Sequence, residues 1–253
     1  MGGIMKTNFV FSDTHGDFSA LLTALDKAGF DPANEEHILI CLGDSYDRGN
    51  ENVQVYQFLL EYHDKGRLIL LMGNHDEFLL AFLAGESDGI FDCIKNGMAW
   101  TLEEFANISV FPVIKFNPDI IRERFIERHP RFVELMSSGI YTLSMGKYIF
   151  THGGYSMDYN VFKWLPNVWS DSEVFIQAFP KSKEYEPDKV YVFGHWHTYR
   201  LRIAVGEAKF NKDSMLIKEH TTFKYKNFIG LDGCTNTSGL VNVLILKEDE
   251  LDD

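Results

Sequence analysis

Three short apolar runs, each followed by a glycine-rich polar loop, constrain this chain more than any other feature. Asn8–Ser12 opens into Ser12-Asp13-Thr14-His15-Gly16-Asp17. The run from His37 to Leu42 opens into Gly43-Asp44-Ser45-Tyr46-Asp47-Arg48-Gly49, and Arg67–Met72 into Gly73-Asn74-His75-Asp76. Apolar runs of that length, bounded by glycine, read as buried strands. Leu21, Leu22 and Leu25, behind an N-cap at Ser19, mark a helix to about Lys27. Val55, Phe58, Leu59 and Tyr62 mark a second from Asn52 to about Asp64. Strands alternating with helices pair mostly in parallel, so the three loops must converge on one sheet edge. That edge is where open α/β sheets place ligands.

The remainder reads in two blocks. From Glu77 to about Met136 the pattern is helical, with Pro112 and Pro118 as breakers. Glu103, Glu104 and the charged run from Ile121 to Arg131 are expected on solvated helix faces. After Gly139 the pattern turns to strands at Ile140–Leu143, Tyr148–Phe150, Val190–Phe193, Met215–Lys218, Phe228–Leu231 and Val241–Leu246. A polar loop is expected at 180–188 and a mobile acidic tail at 248–253. Nothing resembling a repeat or linker divides the chain, so residues 1–253 are expected to form one domain with a helical cap at about 80–136.

Charge narrows the function. The chain carries 37 acidic against 24 basic residues, a formal charge of −13. Such a surface argues against a nucleic-acid or anionic-membrane partner, and any anionic ligand would need local positive charge. Cys41, Cys93 and Cys234 lack CxxC spacing and suit a reducing compartment as buried thiols. No run approaches the ~20 apolar residues of a membrane span. A cytoplasmic protein is expected.

Of nine histidines, five (His15, His75, His152, His195 and His197) stand directly after expected strands in glycine-flanked loops. With Asp13, Asp44 and Asn74 they make a mixed imidazole, carboxylate and amide-oxygen set. Such ligands suit borderline first-row ions: Mn, Fe, Zn or Co. Calcium would want more oxygens and no imidazole. In order along the chain, Ser-Asp-Thr-His-Gly, Gly-Asp-Ser-Tyr-Asp-Arg-Gly, Gly-Asn-His-Asp, His-Gly-Gly and Gly-His resemble the motifs of the serine/threonine phosphoprotein phosphatases, within the calcineurin-like metallophosphoesterases. Asn96-Gly97 through Thr101-Leu102, and Leu231-Asp232-Gly233-Cys234, resemble the bacterial and phage branch. That branch includes the lambda phosphatase and the symmetrical diadenosine tetraphosphatases.

The resemblance implies an α/β sandwich of two mixed sheets flanked by helices, with a partial helical cap. It implies two divalent metal ions: one held by Asp13, His15 and a bridging Asp44, the other by Asp44, Asn74, His152 and His195. His197 would join the first. His75 would be the general acid, Asp47 its orienting carboxylate, and Arg48 the phosphoryl clamp; Arg48, Asn74 and His75 would contact substrate. The nucleophile would be a hydroxide activated by the two ions. Asp76 is expected to support the loops and Asp17 to start a helix. The expected substrate is a phosphorylated protein or small phosphoester. A dinucleoside polyphosphate is the rival, and a non-catalytic binding module the reading from another class. The family's second phosphate-binding arginine is missing, since no arginine occurs from Gly153 to Gly194. Lys163, Arg200 and Arg202 are the candidates to replace it. Tyr155, Trp164, Trp169 and Trp196 are core by default, and base-stacking rings if the substrate is a nucleotide.

Overall fold

The first three strands, β1 (Thr7–Phe11), β2 (His37–Cys41) and β3 (Leu68–Leu70), run parallel and in sequence order. The computed structural model describes residues 5–109, 117–153, 155–158, 161–164, 188–208 and 219–251. Helices α1 (Phe18–Lys27) and α2 (Asn52–Asp64) make the two crossovers. The helical block comprises α3 (Asn74–Leu83), α4 (Ile90–Lys95), α5 (Met98–Ala106), α6 (Pro118–Arg128) and α7 (Phe132–Ser137). The second half holds β4 (Thr142–Met145), β5 (Tyr148–Thr151), β6 (Tyr155–Asp158), β7 (Val161–Trp164) and β8 (Val190–Phe193). After them come α8 (Thr198–Ala204), β9 (Phe223–Tyr225), β10 (Phe228–Gly230), α9 (Thr235–Ser238) and β11 (Val243–Lys247).

These strands form two mixed sheets, ordered β11-β1-β2-β3 and β4-β5-β8-β10-β9, with β6 and β7 as a separate antiparallel pair. The centre of the second sheet, β5, β8 and β10, is again parallel, while β4 and β9 close its edges antiparallel. Side chains alternating along the first sheet build two cores. Val10, Ile40, Leu42 and Leu71 pack against Phe150, Val192, Ile229 and Leu231 of the second sheet. Phe9, Phe11, Leu39, Cys41 and Leu70 face the helices. Burial on both faces explains why the β1 and β2 segments read as near-continuous apolar runs. The carboxyl ends of both parallel triplets then feed the polar loops.

Four local expectations are corrected. Asp17, not Ser19, caps α1, accepting from the Ala20 N–H at 2.9 Å; Ser19 instead bonds Glu51 through its N–H and hydroxyl. Pro118 opens α6 behind Asn117, using the one helical position where a missing N–H costs nothing. Glu104 is half-buried and accepts from the Val53 N–H and the Asn52 amide at the start of α2, so it is not a solvated face. Glu248–Glu250 form a short 3-10 turn. Glu248 exchanges bonds with Lys6, and Leu251 is buried with its carbonyl on the Lys147 N–H, so residues 248–251 are docked. The expected strand at 215–218 lies outside the described residues. Strands β6, β7 and β9 are added where none was expected, β9 pairing with the expected β10.

The helical block shares the core of the first sheet, chiefly through aromatic rings. Phe105 stacks on Phe125 at 4.4 Å between centroids and meets Phe132 edge-on at 5.2 Å. Tyr46, inside the Gly43–Gly49 loop, packs its ring 5.9 Å from Phe105 and 5.2 Å from Phe132. One cluster therefore holds both the helices and the acidic loop. Replacing Phe105 with Ala should lower unfolding stability by about 3–5 kcal/mol, the cost of a large aromatic cavity. Urea titration measures it; a change under about 1 kcal/mol, roughly that of a surface substitution, would contradict this role.

Candidate metal centre

The polar loops meet in one small pocket lined by Asp13, His15, Asp44, Arg48, Asn74, His75, His195, His197 and Asp232. Eight of these are residues singled out from the sequence, and they come from the ends of strands in both sheets. Asp44 lies at the middle. Its Oδ2 is 3.8 Å from His15 Nε2 and 3.4 Å from His152 Nε2. Two groups of potential ligand atoms share it: His15, Asp44 and His75, and Asp44, His152 and His195, each within 4.8 Å of one another. Asp13 stands beside the first, 4.0 Å from His15 Nε2.

Backbone contacts orient these side chains. His15 Nδ1 lies 3.0 Å from the Tyr46 carbonyl and His152 Nδ1 2.7 Å from the Leu42 carbonyl. These contacts at Nδ1 direct each Nε2 toward Asp44, the orientation an ion would need. Asp13 Oδ2 accepts from the Ser12 hydroxyl at 2.5 Å and from the His195 N–H at 2.9 Å. Asp44 Oδ1 accepts the His75 N–H at 3.0 Å. Asp76, fully buried, accepts from the N–H groups of Gly73, Asp44 and Ser45, knitting the second and third loops together. It is a scaffold residue, as expected.

The backbone itself is bent to the task. Six of the nine non-glycine residues with positive φ among the described residues are Asp13, His15, Asp44, Asp47, Arg48 and His195. Such conformations are costly for residues with a Cβ and collect where surrounding structure over-determines them. Glycine is required at two contacts. A Cβ on Gly73 would collide with Asp44, and one on Gly97 (φ 83°) would meet the backbone and Cγ of Arg48.

His75 and Arg48 form the other half of the pocket. His75 Nδ1 is 2.7 Å from Asp47 Oδ2, and Asp47 Oδ1 accepts from Thr101 Oγ1 at 2.7 Å. Thr101, from α5, thereby holds the carboxylate that holds the imidazole. It belongs to the segment noted from the sequence but drew no role there, because a threonine on an apolar helix carries no chemical signature. Arg48 extends between two rings, with Nη1 2.8 Å from His15 Nε2 and Nη2 2.8 Å from His75 Nε2. The salt bridge from Arg48 to an aspartate that would merely tie its loop is not the arrangement found. Since Nη1 uses the His15 lone pair, an ion on His15 and this position of Arg48 exclude one another.

Electrostatics fit a cationic occupant. Burial, then repulsion from Asp232, pushes Asp13 up to about 7; burial, then repulsion from Asp44, does the same to Asp76. Asp232, buried at the second sheet's edge, is raised by the same burial. It lies 3.6 Å from His197 and was missed as a site residue, although its Leu-Asp-Gly-Cys segment had been noted. Burial, with Arg48 next, holds His15 well below the ordinary imidazole value, while His195 is pushed down to about 3 by burial and then by His152. Both rings are therefore neutral and able to ligate. Asn74 Oδ1 and His197 Nδ1 are buried with no hydrogen-bond partner among the described residues. Crowded carboxylates, neutral imidazoles and an orphaned amide oxygen together fit divalent ions. Trp196 packs in the core of the second sheet, its ring edge-on to His195 at 4.8 Å, so it is not a base-stacking surface. Trp169 and the side chains of Tyr155, Lys163 and Trp164 lie outside the described residues.

Comparison with known proteins agrees with this geometry. Residues 9–216 match the calcineurin-like phosphoesterase family. An asymmetrical bis(5'-nucleosyl)-tetraphosphatase of Bacillus velezensis is 26% identical over 106 residues, 40% of this chain and 41% of that protein. A symmetrical bis(5'-nucleosyl)-tetraphosphatase of Buchnera aphidicola is 38% identical over 94 residues, covering 37% and 32%. Serine/threonine-protein phosphatase 2 of Salmonella typhimurium is 34% identical over 89 residues, covering 35% and 38%. The matched part thus spans well under half the length of these relatives. A crystal structure described as a candidate diadenosine tetraphosphatase shares the fold, with a TM-score of 0.54 at 12% identity over 97% of this chain and 91% of that one. The chain belongs to the calcineurin-like phosphoesterase family.

Because Asp44 is common to both ligand groups, Asp44→Asn should weaken divalent-ion binding at both. Calorimetric titration with Mn²⁺ is expected to lose at least tenfold in affinity, roughly the lower bound for disturbing a metal's ligand shell. Unchanged stoichiometry and affinity would remove Asp44 from its central place.

Proposed function

Starting from a calcineurin-like phosphoesterase, we propose that this chain hydrolyses phosphoesters with a pair of divalent ions, and that its substrates are nucleoside polyphosphates. The observation that carries the reading is the meeting of Asp13, His15, Asp44, Asn74, His75, His152, His195 and His197 around one pocket with Arg48 pointing into it. Asp13, His15, Asp44 and His197 are the proposed ligands on one side, and Asp44, Asn74, His152 and His195 on the other. Two divalent ions, when bound, polarise the phosphoryl oxygens and lower the pKa of water. The chain's own residues do the rest.

Arg48 offers a planar fork to two non-bridging phosphoryl oxygens, a geometry that lysine cannot reproduce. For this it must leave His15 and His75, which frees both Nε2 atoms at once. His75 then carries a proton on Nε2 toward the leaving oxygen, while Asp47 steadies Nδ1. Water oxygen bonds to phosphorus as one of its protons passes to solvent, the ester or anhydride P–O bond breaks, the His75 proton neutralises the departing oxygen, and solvent reprotonates His75. Burial alone would depress His75, but the charge of Asp44 and the Asp47 hydrogen bond outweigh it and raise its pKa above 6.5. That shift favours the protonated form that a general acid needs.

The choice of nucleotides rests on the tetraphosphatases of both types among the relatives. The phosphoprotein reading has one specific support, the Salmonella typhimurium phosphatase at comparable identity. A turnover panel separates them: Mn²⁺-loaded protein with diadenosine tetraphosphate, a phosphoserine peptide and p-nitrophenyl phosphate, each with an EDTA control. We expect EDTA-sensitive turnover with the dinucleotide preferred. Preference for the peptide would move the chain to the protein phosphatases, and silence on all three with ions bound would leave a non-catalytic module.

His75→Asn should lower kcat by roughly 10²–10⁴-fold with ions retained. Since His75 acts as the protonated form, kcat/KM should fall as pH rises through its raised pKa. Asp47→Asn removes part of what raises it, so that alkaline limb should move to lower pH. A limb that stays in place would show that another group donates the proton.

A further inference from the structure

The site as described contains one arginine, although a polyphosphate brings several negative charges to a chain of formal charge −13. Asp13, Asp44, Asp47, Asp76 and Asp232 are all buried around the pocket and add to the repulsion. Divalent ions offset this at the reacting phosphoryl group. The phosphates beyond it need another cation.

Two arginines follow the last histidine motif, and the structure separates them. Arg202 is committed to the fold. Its guanidinium donates to the carbonyls of Glu219 at 3.2 Å, Thr221 at 3.2 Å and Thr222 at 2.9 Å, and pairs with Glu207 at 3.0 Å. Arg200 is exposed. Its Nε donates to the Tyr199 hydroxyl at 3.0 Å, and its guanidinium carbon lies 5.8 Å from the centre of that ring. Tyr199 is itself buried, with its ring 5.6 Å from the ring of His197, which lines the pocket beside Asp232. The Arg200 N–H also donates to the His197 carbonyl at 2.9 Å, within the first turn of α8. A buried tyrosine thus fixes an exposed guanidinium one helical turn from the pocket wall. Its two terminal nitrogens make no hydrogen bond among the described residues.

We infer that Arg200 is a second phosphate-binding site, which takes the non-scissile phosphates of a polyphosphate chain whose reacting phosphoryl group is held by Arg48. The two cations divide the work by position. Arg48 lies against His15 and His75, where the ester bond breaks; Arg200 lies outside His197, where the remaining phosphates leave the pocket. This rests on the phosphoester reading and narrows it to substrates with at least three linked phosphates. An orthophosphate monoester would not reach Arg200.

Direct binding tests this independently of turnover. Mn²⁺-loaded protein, with the ion in excess of the anion, is titrated calorimetrically with inorganic tripolyphosphate and with orthophosphate. Arg200→Ala should weaken tripolyphosphate by about 10–100-fold, the worth of a charge-assisted contact to phosphate, and orthophosphate by less than about threefold. Arg200→Lys should recover part of the loss by restoring the charge. Equal losses for both anions would overturn the inference, because Arg200 would then serve the reacting position or the fold. So would no loss, or a wild type that does not prefer tripolyphosphate. A wild type that binds tripolyphosphate through Arg200 yet hydrolyses no phosphoester would sink the proposed activity and leave this site standing.

Discussion

One buried carboxylate, Asp44, sets the terms for everything around it. It lies in the loop just after β2 and is almost wholly inaccessible. Burial alone would protonate it. The imidazoles of His152 and His75, with a hydrogen bond from His152, reverse that and hold Asp44 well below the usual carboxylate range. A charge so placed costs several kcal/mol unless compensated (on the order of the desolvation of one ion). The compensation comes from loops after β1, β3 and β5, so the site can form only when the two sheets are stacked in this register. Packing of Val10, Ile40 and Leu42 against Phe150 and Val192 supplies that register. Fold and site are one cooperative object here, and neither sheet alone could stabilise the charge.

The same requirement explains where the backbone is strained. A carboxylate or imidazole must project from a strand end into a crowded centre within one or two residues, and the ordinary extended path would carry it past. Left-handed φ at Asp13, His15, Asp44 and His195 makes the turn. Hydrogen bonds hold these residues in place: Asp76 accepts from the N–H groups of Asp44, Ser45 and Gly73, and Asp13 from the His195 N–H. Asp76 is consequently as necessary to the geometry as any ligand, although it faces no substrate. Its own pKa, raised by burial and by Asp44, indicates that the scaffold is held under electrostatic load.

Much of this was legible because the chemistry and the fold use the same signals. Strand ends are marked by glycine after an apolar run, and His15, Asp44, His75, His152 and His195 all stand there. Periodicity placed α2 at its observed bounds. What escaped has a common cause, namely that tertiary contacts decide it. Glu104 looks solvated in sequence because nothing local reveals that α2 begins beneath it. Thr101 and Asp232 gain their roles from partners at Asp47 and His197, 54 and 35 residues away respectively in sequence. The acidic end was expected to move because charge runs usually do, but Leu251 is buried and its carbonyl is taken by the Lys147 N–H. The cap of α1 fell on Asp17 because its carboxylate reaches the third N–H, leaving Ser19 to Glu51.

The position of Arg48 resolves an apparent conflict in this molecule. An arginine meant for phosphate, in a pocket with several aspartates, would be expected to pair with one of them and stay there. It does not, because Asp44 and Asp47 are already satisfied by imidazoles and backbone donors, and the guanidinium lies against Nε2 of His15 and Nε2 of His75 instead. Neutral acceptors hold an arginine less tightly than carboxylates do. Phosphate oxygens can therefore take it from the imidazoles, whereas they would compete poorly with a buried aspartate. In the proposed reaction the same move would free His15 Nε2 for an ion and His75 Nε2 for proton donation, so one displacement would serve both roles. On the proposed function, weak tethering of Arg48 would let a strongly acidic pocket keep an arginine available for an anion.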